Sequence, residues 1–325
     1  MKLKIFSECG SLSGYGHINR CLSIVEKLYL NKFEIIWYIK LDKKEDNIPF
    51  LIGNVIIQDW DNDFFSDLYE FNDFCLFDSY NVNLDNFIDY SNNENNNVFI
   101  VSITDSNLIY YSKGVILFPS LYANNLIIKI NSNEILYGPE NFLAQNIIGE
   151  YLINEDRIEQ KNKNLRIGVS LGGAVDSSLV FKIIRIIREK DEAIEINLYS
   201  SITNCPYKIN SIGFLPKKEY IKSIIDVDLL ITASGQSLNE AVILGVPVIP
   251  IAINESQIKN RDYWLNKLNL SVKCSYFNFD FDKKLKLSLK KNLNTILPLE
   301  ERVFLANGSS RVANKLMKLY NNYIA

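Results

Sequence analysis

The chain contains 325 residues, of which 47% are hydrophobic and 22% are charged. That composition excludes a wholly disordered protein, and because single hydrophobic cores stop growing at about 250–300 residues, we expect two domains. The 35 basic residues are outnumbered by 38 acidic ones, which gives a net charge of −3. Since no positive excess is available to neutralise a phosphate backbone, a nucleic-acid partner is not expected.

Five cysteines and a single histidine limit the metal and redox chemistry of the chain. The cysteines are odd in number, far apart and without a CxxC pair, which argues against a disulfide framework and a zinc site.

The start of the chain, MKLKIFSECG, lacks the apolar run of a secretory signal, and the longest apolar run, at 241–253, is too short to span a bilayer. We therefore expect a soluble, cytoplasmic protein without integral membrane association, of unknown oligomeric state.

In the first half, short β-branched or aromatic runs alternate with helical patterns, which is typical of βαβ units. Strands are predicted at 2–6, 33–39, 54–57, 73–77 and 98–103, with weaker patterns at 114–118 and 134–137. A helix is predicted at 17–29, where apolar residues recur at helical spacing. The polar, charged stretch 153–164 then predicts a linker between domains.

The second half repeats this alternation. Strands are predicted at 165–170, 193–199, 228–232 and 246–251, and helices at 176–188, 217–225, 236–244, 256–268 and, to close the chain, 309–325. The whole pattern predicts an α/β fold of two Rossmann-like, doubly wound parallel-sheet domains, 1–152 and 165–308, facing each other across a cleft. Ligands of such sheets bind beyond the carboxyl ends of the strands, so the residues that follow each strand are the candidates.

After the first predicted strand comes GSLSGYGHINR, which ends at Arg20. Gly14 and Gly16 permit backbone angles that other residues resist and leave space beside the backbone. His17 begins the helix and is the only imidazole of the chain, so it is the candidate general base near neutral pH. The positive end of the helix favours the neutral imidazole that a base needs. The alternative is a glycine turn in which His17 only caps or packs.

Two further strands of the first half end in polar residues. Asp78 and Tyr80 belong to FDSY, and Asp105 belongs to TDS. Their positions point to a ligand site, although Asp and Ser are also common turn residues after a strand.

Two glycine turns of the second half are candidate phosphate sites. Gly172 and Gly173 lie in SLGGAVD, whose backbone N–H groups could hold phosphate and whose Asp176 can cap the next helix. The spacing is not that of a dinucleotide-binding GxGxxG motif.

The second glycine turn lies in TASGQSLNEAVILGVP, where Gly235 and Ser237 stand at a helix N-terminus that would stabilise a diphosphate. Glu240, one turn on, can accept two hydrogen bonds from a ribose diol, or it is simply solvated. Asn254 and Gln257, in NESQ after the next strand, reach the same region or form an ordinary helix cap.

Together these motifs resemble the UDP-2,4-diacetamido-2,4,6-trideoxy-β-L-altropyranose hydrolases of pseudaminic acid biosynthesis. The matching elements, in chain order, are GYGHINRCLSI, FDSY, ITDS, YGPENFL, VSLGGAVD, TASGQSLNEAVILGVPVIPI, ESQ and NGSSRV. The resemblance implies a GT-B fold, related to that of the bacterial glycosyltransferase that adds N-acetylglucosamine to the lipid-linked peptidoglycan precursor.

The resemblance also implies roles for individual residues. His17 would activate a water that attacks the anomeric carbon, so that UDP departs, and no metal or other cofactor is implied. The implied substrate-binding residues are Gly14, Gly16, Arg20, Asp78, Tyr80, Asp105, Asn254 and Gln257. The implied UDP-binding residues are Gly172, Gly173, Ser234, Gly235, Ser237 and Glu240.

The chain departs from the family pattern mainly where the sugar would be recognised. An Arg-Asp type start after the first strand is replaced by SEC at 7–9, and an Asp-Asp pair by Thr104 and Asp105. Ala144 and Gln145 replace Leu and Arg, and Ser256 replaces Asn beside Gln257. Two other functions stay open: a GT-B glycosyltransferase with a UDP-amino sugar donor, and a non-catalytic UDP-sugar-binding protein.

Overall fold

The computed structural model describes residues 1–10, 13–28, 33–48, 51–60, 68, 70–79, 98–104, 114–122, 134–152, 165–172, 175–202, 204–291 and 296–325. They form two compact units. The first consists of Met1–Asn146 and Asn307–Ala325, and the second of Ile147–Ala306. The predicted linker at 153–164 lies outside the described residues.

The first unit contains one parallel sheet, formed in its described part by seven strands in the order β3-β2-β1-β4-β5-β6-β7. These are β1 Lys2–Cys9, β2 Glu34–Leu41, β3 Asn54–Ile57, β4 Phe74–Asp78, β5 Phe99–Ile103, β6 Val115–Phe118 and β7 Glu134–Tyr137. Every strand predicted for this half is confirmed, with ends shifted by a few residues. The predicted first helix is α1, Gly16–Leu28.

Both faces of this sheet are covered by apolar side chains. On one face, α1 packs beside the C-terminal helix Gly308–Ile324 in a core that includes Trp37 and Tyr320. On the other face, the ring of Phe6 stacks between those of Tyr38 and Phe77, at centroid distances of 4.9 and 4.7 Å. The central strands β4, β5 and β6 are buried along their whole length, which explains their apolar sequences, whereas the edge strand β3 is exposed.

The C-terminal helix belongs to the first unit although it follows the whole of the second in sequence. Ser309 Oγ donates a hydrogen bond to the Ala144 carbonyl (2.6 Å), and Tyr320 Oη donates one to the Asn72 carbonyl (2.7 Å). At the start of the helix, a Cβ on Gly308 would lie 2.0 Å from the Phe142 carbonyl oxygen, so this close approach requires glycine.

The second unit contains a second parallel sheet, whose described strands follow the order β10-β9-β8-β11-β12-β13. They are β8 Arg166–Ser170, β9 Glu195–Leu198, β10 Asn210–Ser211, β11 Leu229–Ala233, β12 Val248–Ala252 and β13 Cys274–Ser275. The helices are α2 Ser177–Lys190, α3 Lys217–Ile225, α4 Gln236–Leu244, α5 Ile258–Lys267, α6 Phe281–Lys290 and α7 Leu299–Ala306. The predicted strands and helices are confirmed; β10, β13 and α7 were not predicted.

Strand order reverses once in each sheet, and these switch points position the polar residues. In the first unit the reversal lies between β1 and β4, where Ser7 is the register partner of Asp78. In the second unit it lies between β8 and β11, where Ser170 is the partner of Thr232. Side chains that follow these strands gather at a switch point, where ligands of open α/β sheets bind.

Within the described ranges, no helix is long and apolar enough to cross a membrane. All five cysteines are free thiols.

Candidate functional site

The turn between β1 and α1 presents His17 at the first switch point. Gly10 and Gly14 exchange two backbone hydrogen bonds (3.2 and 2.9 Å), and Gly14 has the left-handed φ of 72°. Asp42 holds this turn by accepting from the backbone N–H of Ser13 (2.7 Å). The helix then begins at Gly16, so His17 lies in its first turn with only 2% of its surface exposed.

His17 faces the carboxylate of Asp78, which is the last residue of β4 and is 1% exposed. His17 Nδ1 lies 2.6 Å from Asp78 Oδ1. Because a carboxylate oxygen only accepts, the tautomer with the proton on Nδ1 satisfies this contact, and we assign the proton there. In the neutral ring Nε2 then carries the lone pair, which is the arrangement of a general base oriented by a carboxylate.

Arg20, one helical turn beyond His17, forms an ion pair with the same carboxylate. Its Nε donates to Asp78 Oδ2 (2.8 Å) and its Nη2 to Asp78 Oδ1 (2.7 Å), in the two-pronged geometry of strong arginine–carboxylate pairs. Arg20 Nη2 also lies 2.9 Å from His17 Nδ1. The structure thus places Asp78 and Arg20 against His17, whereas the resemblance implied that they line the sugar pocket. Their binding of sugar stays a prediction.

A second buried carboxylate, that of Glu8, faces the other ring nitrogen. Glu8 Oε1 lies 3.7 Å from His17 Nε2, and Glu8 Oε2 accepts a hydrogen bond from Ser79 Oγ (2.6 Å). The carboxylate is 1% exposed. Sequence reasoning noted Glu8 only as a departure from the family pattern and did not select Ser79. The signal for Glu8 was a charged residue just after the first predicted strand, 2–6, which in the structure continues to Cys9 and buries Glu8.

Two cysteines near this cluster are not nucleophiles. Burial raises the pKa of the Cys21 thiol well above its ordinary value, and the Asp78 carboxylate adds to the effect. Burial, with a smaller contribution from Asp42, raises the pKa of Cys9 to about 11. Both thiols stay protonated near neutral pH, and a protonated thiol is a poor nucleophile.

Three predicted site residues, Tyr80, Asp105 and Gly173, lie outside the described residues. Among the residues that the structure does describe, no group of three or more His, Cys, Asp and Glu side chains is arranged to hold a metal ion.

At the second switch point, the structure brings Ser234, Asn254 and Gln257 together. Gln257 Oε1 accepts from the backbone N–H groups of Ser234 (3.1 Å) and Ile253 (3.2 Å). Asn254 Oδ1 in turn accepts from the backbone N–H of Gln257 (3.3 Å) and so caps a 3₁₀ turn. These amides brace the loop that leads into α4, whose N-cap is Gly235.

Glu240 lies on the buried side of α4, and its side chain is 3% exposed. Its Oε2 accepts from Lys217 Nζ at 2.5 Å. Its Oε1 and the nearby Ser234 Oγ are buried, and neither has a hydrogen-bond partner in the described part of the chain. The alternative that Glu240 is simply exposed to solvent is therefore wrong. Buried polar atoms without partners are costly, which is typical of a site that a ligand completes.

Other side chains surround this carboxylate. The Lys217 ammonium lies 5.8 Å from the centre of the Tyr220 ring, and Tyr220 Oη is 3.0 Å from Ser170 Oγ. Burial, followed by the charge of Glu240, raises the pKa of Tyr220 to about 12, so the phenol stays protonated. Sequence reasoning missed Lys217 and Tyr220.

The remaining predicted residues of the second unit follow the neighbouring strand ends. Gly172, two residues beyond the end of β8, has a left-handed φ of 91°, and Ser237 lies in the first turn of α4. Asp176 caps α2 as predicted, accepting from the Ser178 backbone N–H at 3.0 Å.

Comparison with known proteins bears on the fold. No family model matches the chain. The uncharacterized protein MJ1062 of Methanocaldococcus jannaschii is 25% identical over 290 residues, which are 83% of this chain and 59% of that protein. The chain thus spans less than two thirds of the length of this relative.

Solved structures align over nearly the whole chain. MurG of Acinetobacter baumannii has a TM-score of 0.60 at 12% identity, covering 98% of this chain and 100% of its own. The calicheamicin glycosyltransferase CalG4 has a TM-score of 0.58 at 11% identity, covering 100% and 99%. This chain has the GT-B fold. The spinosyn forosaminyltransferase SpnP also aligns, with a TM-score of 0.59 at 10% identity over 98% of this chain and 99% of its own. In this GT-B chain, each of the two parallel sheets carries one polar cluster at its switch point.

Proposed function

We propose that the chain hydrolyses a UDP-sugar at the anomeric carbon, with His17 as the general base. The observation that carries this proposal is the 2.6 Å contact between His17 Nδ1 and Asp78 Oδ1. This contact favours the tautomer in which Nε2 can take a proton from the attacking water or alcohol. Arg20 holds the Asp78 carboxylate in place, so we assign Asp78 and Arg20 to positioning the base.

The reaction balances without any further reactant. A water oxygen forms a bond to the anomeric carbon while the bond from that carbon to the β-phosphate oxygen of UDP breaks. The electron pair of that bond leaves with UDP, and one water proton passes to His17 Nε2. The products are the free sugar and UDP.

We assign the binding of UDP to the second unit. The backbone N–H groups at the start of α4, near Gly235 and Ser237, would face the diphosphate, as would Gly172 and Gly173 after β8. Glu240 would accept hydrogen bonds from the ribose hydroxyls, because its Oε1 is buried and has no partner within the described residues. Ser234 Oγ, buried in the same way, would complete the site.

For the sugar we propose a 2,4-diacetamido-2,4,6-trideoxyhexose that serves pseudaminic, or nonulosonic, acid synthesis in the cytoplasm. The support is the resemblance of the motifs around His17, Asp78 and Glu240. Tyr80 and Asp105 would contact this sugar, as would Asn254 and Gln257.

A second candidate is transfer of the sugar to a hydroxyl acceptor. The names of the aligned structures favour it, since CalG4 and SpnP are glycosyltransferases. The same base would serve both reactions, because His17 Nε2 can accept the proton of an alcohol as well as that of water.

The test is UDP release from purified protein in ¹⁸O-labelled water, with chelator present and no added acceptor. The donors are UDP-N-acetylglucosamine and a set of UDP-2,4-diacetamido-2,4,6-trideoxyhexoses. We expect UDP release with the label in the sugar, because water attacks carbon rather than phosphorus. His17→Ala should lower turnover by about 10²–10⁴-fold while the affinity for UDP stays unchanged.

Two outcomes would contradict the proposal. ¹⁸O in the phosphate of the released UDP would mean that water attacks phosphorus and the P–O bond breaks. His17 would then have no role at the anomeric carbon. Tight UDP binding with no turnover of any donor would contradict hydrolysis and favour the transferase, or a protein that only binds the nucleotide sugar.

A further inference from the structure

We propose that α2 and α6 of the second unit, with the turn 276–280 that leads into α6, form a docking surface for anionic lipid membranes. We call this surface the basic face. None of its residues is assigned above to catalysis or to UDP binding, so the basic face is independent of the proposed function.

Positive charge is concentrated on these two helices. With Lys291, the C-cap of α6, they contain nine lysine and arginine residues and two acidic ones, a net charge of +7, whereas the whole chain carries −3. The two acidic residues are already paired within the face. Lys286 Nζ lies 2.7 Å from Glu189 Oε2, and Lys182 Nζ lies 2.9 Å from Asp282 Oδ1. The surplus of positive charge therefore faces solvent.

The outer side of α6 combines lysine with an apolar residue. Lys283, Leu287 and Lys290 are exposed and follow one another at spacings of four and three residues, so they share one side of the helix. Lys283 and Lys290 form no ion pair with any residue that the structure describes. Phe281 and Leu285, on the other side, are buried in the core of the second unit. A helix with this division can lie flat on a membrane, with its lysines at the headgroups.

The turn before α6 exposes two aromatic rings beside these lysines. Phe279 is 104% exposed and Phe277 is 47% exposed. The turn is held by its own backbone, since the N–H of Asn278 donates to the Ser275 carbonyl at 3.2 Å. A fixed turn thus presents a phenyl ring that no other part of the protein covers. Aromatic rings on basic amphipathic surfaces enter the boundary between headgroups and acyl chains.

A groove between the two helices offers a place for a lipid phosphate. It has a volume of about 320 Å³ and is lined by Ile186, Glu189, Lys190, Lys286, Leu289 and Lys290. Three of these residues are lysines, and the one carboxylate among them is paired with Lys286. Lys190 Nζ donates to the Leu289 carbonyl and so stands at the edge of the groove. The groove therefore has a cationic rim, which suits a phosphate.

The chemistry of the basic face favours a membrane over other occupants. Leu287 is aliphatic and gains by leaving water, but it cannot stack on a base as the side chains of single-strand-binding proteins do. A symmetric contact with a second copy of this chain would bring two strongly positive surfaces together, and they would repel each other. An anionic membrane supplies phosphates and an apolar layer at a single surface.

The experiment measures co-sedimentation of the purified full chain with lipid vesicles. One set of vesicles is phosphatidylcholine alone, and the other contains about 30% phosphatidylglycerol, both in about 0.1 M salt. We expect binding to the anionic vesicles and none to phosphatidylcholine. Raising the salt to about 0.5 M should release most of the protein, because salt screens the attraction between lysines and lipids.

A pair of charge reversals tests the lysines. Lys283→Glu combined with Lys290→Glu should weaken vesicle binding by about 25-fold or more, because each lysine near an anionic surface contributes about fivefold. The matched control is Lys218→Glu combined with Lys222→Glu, which makes the same charge change at exposed positions of α3 in the same unit. The control should bind vesicles like the unmodified protein.

A second pair of variants tests the apolar contribution. Phe279→Ser should weaken binding about tenfold or more, because a phenyl ring no longer leaves water on docking. The control is Phe71→Ser, which removes a ring that is 70% exposed in the first unit and should leave binding unchanged. All the substituted side chains are exposed, so urea unfolding should give similar midpoints for every variant.

Four outcomes would overturn the proposal. The first is no binding to anionic vesicles, and the second is equal binding to phosphatidylcholine. The third is an equal loss in the Lys218 and Lys222 control, since net charge rather than the basic face would then decide. The fourth is single-stranded RNA that displaces the vesicles and binds the Lys283 and Lys290 variant weakly, which would assign the face to nucleic acid.

Discussion

Replacing Asp78 with Asn tests the role of the carboxylate that positions His17. Asp78 accepts from His17 Nδ1 at 2.6 Å and from Arg20 Nε and Nη2 at 2.8 and 2.7 Å. An asparagine has one acceptor and one donor group where the aspartate has two acceptors. Whichever way the amide turns, its NH₂ group faces a donor of Arg20 or the proton of His17 Nδ1. The variant therefore breaks the ion pair and removes the preference for the reactive tautomer.

The expected magnitudes follow from burial. Breaking a buried ion pair costs about 3–5 kcal/mol. The Arg20 side chain is 15% exposed, so water compensates part of its charge, and we expect the lower end, about 3 kcal/mol of unfolding free energy. Turnover should fall by about 10²–10⁴-fold, because the imidazole loses its orientation and its tautomer.

Asp73, the residue that precedes β4, offers a matched control. It forms a buried ion pair with Lys4 at 2.6 Å, and both side chains are about as buried as Asp78 (4% and 5% exposed). Asp73→Asn should cost similar stability in urea unfolding and leave turnover per folded molecule unchanged. The reasoning is refuted if Asp78→Asn keeps turnover near that of the unmodified protein, or if both variants lose turnover equally.

Three further predictions concern the second unit and the thiols. Glu240→Gln should weaken the binding of UDP, measured by calorimetry, about tenfold or more, because a charged acceptor of the ribose hydroxyls is lost. The binding of 2′-deoxy-UDP should weaken less. If the variant loses the same factor of affinity for both nucleotides, the assignment of Glu240 to the ribose is contradicted. Gly245→Ala should lower the unfolding free energy by about 1–3 kcal/mol, since φ is 84° and the new Cβ would lie 2.4 Å from Arg302 Nη1; unchanged stability would contradict this. One thiol, the half-buried Cys205, should react with a thiol reagent in the native protein at pH 8, against five after denaturation. Raising the pH to 9 should not expose Cys9 to reaction, because its pKa is raised to about 11; early labelling there would show that the site opens.

The fold was largely predictable because buried parallel strands are continuous apolar runs with short helices between them. The elements that were missed are short. Asn210–Ser211 and Cys274–Ser275 have two residues each and so carry no periodic signal, although both pair in register with a longer neighbour. The helix Leu299–Ala306 follows a proline and lacks a recognisable cap in its sequence.

The sequence was enough to propose members of the candidate site, but not most of the contacts between them. His17 was selected because it is the sole imidazole and follows a glycine turn. Its pairing with Asp78 depends on the register of β1 against β4, across 61 positions of sequence, which no local pattern encodes. Lys217 and Glu240 likewise meet across 23 positions of sequence because α3 packs beside α4.

The return of Gly308–Ile324 to the first unit has a consequence for synthesis on the ribosome. Val312, Leu316 and Tyr320 complete a core whose other members begin at Leu3, so that core stays unfinished until Tyr320 has left the ribosome. The second unit, Ile147–Ala306, has all its strands and helices available earlier. We therefore expect the first unit to finish folding after the second, although its β1 strand is translated earlier, with β1 exposed to chaperones in the interval.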